Sequence, residues 1–412
     1  METIYRSCCG LDVHSKSISA CVRRVDERGQ VRQDVRSFGT VTRDLLALRD
    51  WLEQERVTHV AMESTGVFWK PVFNILESGF TVLLVNARDV KHVPGRKTDV
   101  KDCQWLAQLL QCGLLKASFV PPAPQRDLRD LTRHRAQLVG EHSRVANRVH
   151  KTLEDANVQL GDVASDILGV SGLAMLRALA AGETDPQRLA ELAQGRLREK
   201  IPELCLAMEG RMREHHRFML QSLLDHLKYL EEQTARFDGR IEELMHPSEK
   251  ELRLLKGLPG FGDRTAQNVL AEIGVNMGQF PSHDHLSSWA GMCPGNNESA
   301  GKRKSGRTTK GSRWLRQTLV QAAWAASRKK KSYFHVLYRR LVGRRGKKRA
   351  LVAVGHSLLV VIYHVLKTGT PYVELGADYF NTLDSKRLTR YHVKRLQSLG
   401  YQVTLAEAEA AA

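Results

Sequence analysis

Four carboxylates and one serine carry the chemistry this sequence could perform. Asp12 closes the apolar run in "CCGLDVHSK" (8–16) and Glu63 closes another in "THVAMEST" (58–65). Asp99 and Asp102 stand three apart in "RKTDVKDCQWLAQLL" (96–110), a spacing that shares one helix face. Four converging carboxylates repel one another and are costly to strip of water. A hard divalent cation removes that cost. Mg²⁺ (or Mn²⁺) takes oxygen ligands and shares them with substrate phosphates. A pair of such ions about 4 Å apart can clamp both the attacking and the leaving oxygen of a phosphodiester. Each acid also has a plainer explanation. Asp12 could form a turn before "HSKS", and Glu63 could cap "STG". Asp99 could favour a helix start by ~0.3–1 kcal/mol, and Asp102 could pair with a surface lysine. All four at once, in this order of elements, argue for a shared metal site.

The serine lies in "CPGNNESAGKRKSGRTTKGSRWLR" (293–316), a hydroxyl-rich segment that reads as a flexible loop. Ser299, Ser305 and Ser312 are candidate nucleophiles, with Lys302, Arg303, Lys304, Arg307, Lys310 and Arg313 as cations around them. A serine nucleophile needs its proton removed and the attacked phosphate neutralised. The cations supply charge, but no base stands next to Ser299. From the residues alone, a phosphate-binding loop is the preferred reading and a nucleophilic serine the alternative. A third motif, "LPGFGDRTAQNVL" (258–270), has the shape of a helix-hairpin-helix turn. Backbone N–H groups of Gly260 and Gly262, with the helix start behind them, could grip a phosphate, and Asp263 is a natural cap there.

These residues need elements to position them. Residues 4–38 hold three strand-like runs, the second and third joined through "DERGQ" as a hairpin. A helix follows over 42–55, with Thr42 as its N-cap. Strand, helix, strand and helix then alternate to about residue 112. Three antiparallel strands followed by αβαβα is the order of a ribonuclease-H-like fold. "FVPPAPQ" (119–125) reads as a linker. From Arg126 to Leu244 the pattern is nearly all helical. Met212, His216, Met219, Leu223, Leu227, Leu230, Thr234, Phe237, Ile241 and Leu244 recur mostly by threes and fours, as a coiled-coil seam does. An arm at 128–153 has the same period, with Arg135 and His142 on its seam. An antiparallel structural pair is the preferred reading, and a dimer-forming arm is the alternative.

The chain has 412 residues and a formal net charge of +18. From Ser299 to Arg349 there are 18 Lys or Arg and no Asp or Glu. Such a field calls for a polyanion, and nucleic acid is the expected one. None of the seven cysteines forms a C-x-x-C pair, which argues against zinc and fits reduced core thiols in the cytoplasm. The N-terminus has no signal-peptide layout. The apolar stretch 350–366 contains Gly355, His356, Ser357 and His364 and reads as a buried helix, so no membrane partner is expected.

Taken together and in order, "GLDVHSK", "AMESTGVFWKPV", "RKTDVKDCQWLAQLL", "LPGFGDRTA" and "WAGMCPGNNESAGKRKSG" resemble the DEDD transposases of bacterial insertion sequences. These are relatives of the pilin-gene invertases and are also described as bridge-RNA-guided serine recombinases. The resemblance covers roughly residues 5–370. It implies a RuvC-like DEDD domain (1–120), a helical coiled-coil connector (121–247), a mainly α C-terminal transposase domain (248–380) and an extension (381–412) with no counterpart. The tetrad falls on Asp12, Glu63, Asp99 and Asp102. The nucleophile falls on Ser299, with Ser305 as the fallback. Donor and target DNA, a structured guide RNA and a homo-oligomer, dimer or tetramer, are the implied partners. The RNA rests on the resemblance alone, because no aromatic RNA-binding strand is visible. Two further readings compete. One is a RuvC-like endonuclease or junction resolvase using water, for which Ser299 is dispensable. The other is a non-catalytic nucleic-acid-binding protein, for which the acids are dispensable too.

Overall fold

The computed structural model describes residues 3–26, 28–63, 66–86, 90, 102–294, 297–299, 302–305, 307–383 and 385–405, in two compact units, Met1–Pro121 and Pro122–Ala412. The first unit is mixed α/β. Strands β1 (Ser7–Val13), β2 (Ser17–Val25) and β3 (Val31–Gly39) form an antiparallel meander. Helix α1 (Thr42–Gln54) leads to β4 (His59–Glu63), α2 (Trp69–Leu76) leads to β5 (Thr81–Val85), and α3 (Asp102–Gln111) follows. The sheet order is β3-β2-β1-β4-β5, with β1, β4 and β5 mutually parallel. Parallel neighbours need crossovers, and α1 and α2 lie in these connections. Thr42 begins α1 and does not cap it; Val41 holds the cap position, and no side chain caps that end.

The two faces of the sheet follow the alternation of the strands. Cys9, Leu11 and Val13 join Ile18, Val22, Val60 and Met62 in a core shared with Leu48, Leu52, Phe73 and Leu76 of α1 and α2. Cys8, Gly10 and Asp12 face the other way. There Cys8 packs with Ala61 and Leu110, and Cys21 packs with Cys103 and Ala107 of α3. Burial pushes the thiols of Cys8 and Cys21 up to about 12 and raises that of Cys9 well above its ordinary value, so these cysteines are inert core residues.

Gly10 lets α3 lie on β1. A Cβ there would come under 3.0 Å from the Cys103 carbonyl oxygen, the Ala107 nitrogen and the Leu106 Cβ. Two of these are backbone atoms and cannot swing aside. Gly10→Ala is therefore expected to destabilise the unit by about 1–3 kcal/mol through overpacking. Thermal unfolding measures it, and an unchanged Tm would mean that α3 can shift without cost.

The second unit is almost wholly helical. Helix α4 (Ala123–Asp155) and a later helix of similar length are joined through α5 (Leu160–Val163), α6 (Val170–Ala181), α7 (Pro186–Glu191) and α8 (Ile201–Met208). That later helix is α9 (Glu214–Met245). Arg135 meets Asp238 at 2.9 Å, His142 meets Glu231 at 3.1 Å, and Asp155 meets His216 at 2.8 Å. Positions rise along α4 as they fall along α9, so the pair is antiparallel and its seam closes within one chain. His216, Leu223, Leu227, Leu230 and Ile241 are buried as the pattern predicts, and Phe237 packs against the same core. Met219 and Leu244 are exposed, and Leu220 and Met245 are buried in their place. At both ends the buried position lies one residue C-terminal of the expected one.

Helices α10 (Glu249–Lys256), α11 (Asp263–Ile273) and α12 (His283–Trp289) come next. A short hairpin of β6 (Asn297–Ser299) and β7 (Lys302–Ser305) precedes α13 (Arg313–Arg328), α14 (Tyr333–Arg345) and α15 (Lys347–Thr368). The last elements are α16 (Tyr379–Leu383) and α17 (Ser385–Ser398). By length and composition α15 could cross a membrane. Here it is a core helix: Ala350, Val354, Leu358, Leu359 and Ile362 are fully buried, and it packs on α10, α12, α13 and α14.

Candidate catalytic and nucleic-acid-binding sites

The parallel register pairs Leu11 of β1 with Met62 of β4, and one further residue sets Asp12 beside Glu63. By alternation both carboxylates lie on the α3 side of the sheet. Helix α3 begins with Asp102, and its next residue, Cys103, lies over Gly10, two positions before Asp12. Three of the four expected acids are thus drawn to one end of one sheet face. Asp99 lies outside the described residues. Asp12 is 29% exposed and accepts a hydrogen bond from His14 Nε2 at 3.1 Å. Among the described residues, no three His, Cys, Asp or Glu side chains close to metal-ligand distance. The donor chemistry nevertheless fits a hard cation. Like charges directly opposite on neighbouring strands are destabilising, and the set offers only oxygen ligands.

Ser299 is the last residue of β6 and pairs with Lys302 of β7, while Glu298 pairs with Arg303. The segment expected as a flexible loop is therefore a two-stranded hairpin with an irregularity between Asn297 and Glu298. Its root is held by a bridge between Pro294 and Thr308. Arg316 fastens the same root, its Nη2 donating to the carbonyls of Gly291 and Thr309, each at 2.6 Å. Gly291 and Gly311 press backbone on backbone, and a Cβ on either would meet the other under 3.0 Å. Lys302, Arg307, Lys310 and Arg313 are exposed. Lys304 lies within β7. Ser312 has a structural role as a helix cap. Its hydroxyl donates to Glu272 Oε2 at 3.0 Å and accepts from the Leu315 N–H at 3.2 Å, capping α13.

Gly260 has φ +82, and a Cβ there would strike the Ala322 carbonyl and the Ala326 nitrogen of α13. Its need for glycine is thus met by helix packing. Gly262 occupies the N-cap position of α11, with open space where a Cβ would point. Asp263 does not cap that helix. It is the first helical residue and pairs with Lys256 at 2.5 Å, which holds its carboxyl below the usual range.

A polar network at the centre of the second unit was not anticipated. Glu272 of α11 is 2% exposed. Arg133 grips it with Nε on Oε1 at 2.7 Å and Nη2 on Oε2 at 3.0 Å. Arg129 approaches to 4.0 Å and donates to the Ala271 carbonyl at 3.2 Å. Burial pulls the Arg129 guanidinium down to about 10 against the pull of Glu272, so it stays charged at neutral pH. Nearby, the buried Arg135 donates to Asp238, Gln267 and Asn268 at 2.9, 2.6 and 2.7 Å. The network ties α4 to α11 and, through Ser312, to the helix that follows the hairpin. A lone acid in the apolar run "NVLAEIG" was the only signal for it in the sequence.

Two family models match the chain. One, a DEDD model of the IS110 type described as a transposase, covers residues 9–158, and one described as the transposase IS116/IS110/IS902 family covers residues 252–339. No curated protein matches it. The first match spans the carboxylate-bearing sheet and α4, the second spans the helices and hairpin that carry Ser299, and together they support an IS110-type transposase, an enzyme that acts on DNA.

Proposed function

We propose that the chain cuts and rejoins DNA strands through a serine–phosphodiester intermediate at Ser299 of the hairpin, with Mg²⁺ or Mn²⁺ held by the acids of a ribonuclease-H-like (RuvC-like) sheet. Asp12, Glu63, Asp99 and Asp102 would be the ligands. The placement of Asp12 and Glu63 on adjacent strand ends, facing a helix that starts at Asp102, is the observation that carries this reading. Bound there, the cation would neutralise phosphate oxygens and ease deprotonation of the attacking hydroxyl. The Ser299 oxygen forms a new P–O ester as the bond from phosphorus to a deoxyribose oxygen breaks. The serine proton is lost and the departing oxygen gains one, so the reverse step can rejoin a strand without outside energy. The cations of the hairpin would hold backbone phosphates, and a structured RNA paired to donor and target DNA would choose the sites.

Ser299→Ala is expected to bind DNA as tightly as the wild type, because a hydroxyl adds little to a charge-driven affinity, and to form no covalent adduct. Denaturing gels of labelled DNA, with mass spectrometry of the linked peptide, read the result. An adduct that persists and maps to Ser305 moves the site. Cutting by the wild type with no adduct under trapping conditions makes water the nucleophile and the protein a metal-dependent endonuclease.

A further inference from the structure

After Gly369 (φ +68) the chain runs back along α14 as a strap. Glu374 accepts hydrogen bonds from the Tyr333 backbone N–H at 2.8 Å and the Tyr372 hydroxyl at 3.3 Å. The Tyr333 ring stacks on Phe380 with centroids 5.1 Å apart and planes at 17°. The Arg340 guanidinium sits 4.8 Å from the Phe380 ring centre. These contacts pin Phe380 to the middle of α14. Helix α17 starts five residues later, a reach of at most roughly 17 Å.

Helix α17, "SKRLTRYHVKRLQS", carries Lys386, Arg387, Arg390, Lys394 and Arg395 and no acid. Tyr391, Lys394, Arg395 and Leu396 are exposed. Arg339, Arg340, Arg344 and Arg345 of α14 are exposed as well. The strap thus tethers one acid-free basic helix to another, with only Glu374, Asp378 and Asp384 between them in sequence. Exposed like charges on the two helices repel where they come within about one Debye length, ~8–10 Å near physiological salt. A polyanion lying along both helices reverses that sign.

We infer that α17 is a second contact for the phosphate backbone of duplex DNA, extending the basic surface of residues 302–349. Duplex DNA is the occupant because the family's activity supplies it. The inference rests on the chain's being a DNA transposase and not on the identity of its nucleophile.

The test uses the full chain with Lys386, Arg387, Arg390, Lys394 and Arg395 all changed to Gln. A control variant changes Arg196, Arg198, Lys200, Lys228 and Arg236, exposed residues of the helical connector, to Gln. Binding of a duplex of arbitrary sequence and of an RNA hairpin of equal charge is measured from 50 to 300 mM salt, estimates of about 0.9 in log–log slope per neutralised phosphate setting the scale. The α17 variant is expected to flatten the DNA slope by about 2–4 and to weaken DNA binding at least about tenfold at 0.1 M salt, with the control near wild type. An unchanged DNA slope, an equal effect in the control, or a loss confined to RNA would each overturn the inference. Circular dichroism confirms that both variants keep their helical content. Because the readout is binding, failure here leaves the Ser299 reading untouched.

Discussion

Asp12→Ala and Glu63→Ala, made separately, are expected to lower DNA strand exchange by about a thousandfold or more while leaving the fold intact. Charge stabilisation at a metal-assisted phosphodiester is worth several kcal/mol, and each 1.36 kcal/mol is about tenfold in rate. The stability side has the opposite sign. The two carboxylates lie side by side on parallel strands, where like charges cost roughly 0.2–1 kcal/mol. The Asp12–His14 contact at 3.1 Å is exposed on the histidine side and contributes little. Removing Asp12 should therefore leave Tm equal or slightly higher as activity disappears, and removing Glu63 should leave the protein folded. The measurement is a strand-exchange assay with Mg²⁺ beside a thermal melt. A folded variant with full activity would remove the metal assignment. A variant that unfolds would make the acids structural.

The second large effect concerns stability alone. Glu272→Ala is expected to cost about 3–5 kcal/mol, the range for breaking a buried ion pair from one side. It would leave Arg133 and the largely buried Arg129 without their counter-charge and would deprive the Ser312 cap of its acceptor. Glu272→Gln keeps an acceptor for Ser312 but not the charge, so it should fall between. Denaturant unfolding followed by helicity separates the cases. A loss under about 1 kcal/mol in the alanine variant would show that water or rearranged partners replace the carboxylate.

The strands and the strand-end positions of Asp12 and Glu63 were legible because both follow from short apolar runs that end on an acid. The long helices were legible from their repeat, which misplaced the buried stripe by one residue at Met219 and Leu244. What escaped was tertiary. Gly10 answers to α3, whose contacting residues lie more than 90 positions away in sequence. Gly260 answers to α13. Glu272 draws on Arg129 and Arg133 across an even longer span. Ser299 was read as part of a loop because Gly and Ser composition masks a strand of three residues. The pairing that makes it a strand comes from Lys302 and from the fastening of its root by Arg316, neither of which has a periodic signature.

The cysteines have a practical consequence. Cys8, Cys9, Cys21 and Cys103 are sealed in the first unit, while Cys112, Cys205 and Cys293 are partly accessible. Their positions fall one in the α/β unit, one among the short helices beyond the arm, and one at the root of the hairpin that carries Ser299. A maleimide applied to the native chain therefore has three natural anchor points and no need of an introduced thiol. With Cys205 changed to Ser, dyes on Cys112 and Cys293 make a molecular ruler that reports whether the separation of carboxylate face and hairpin changes when DNA is bound.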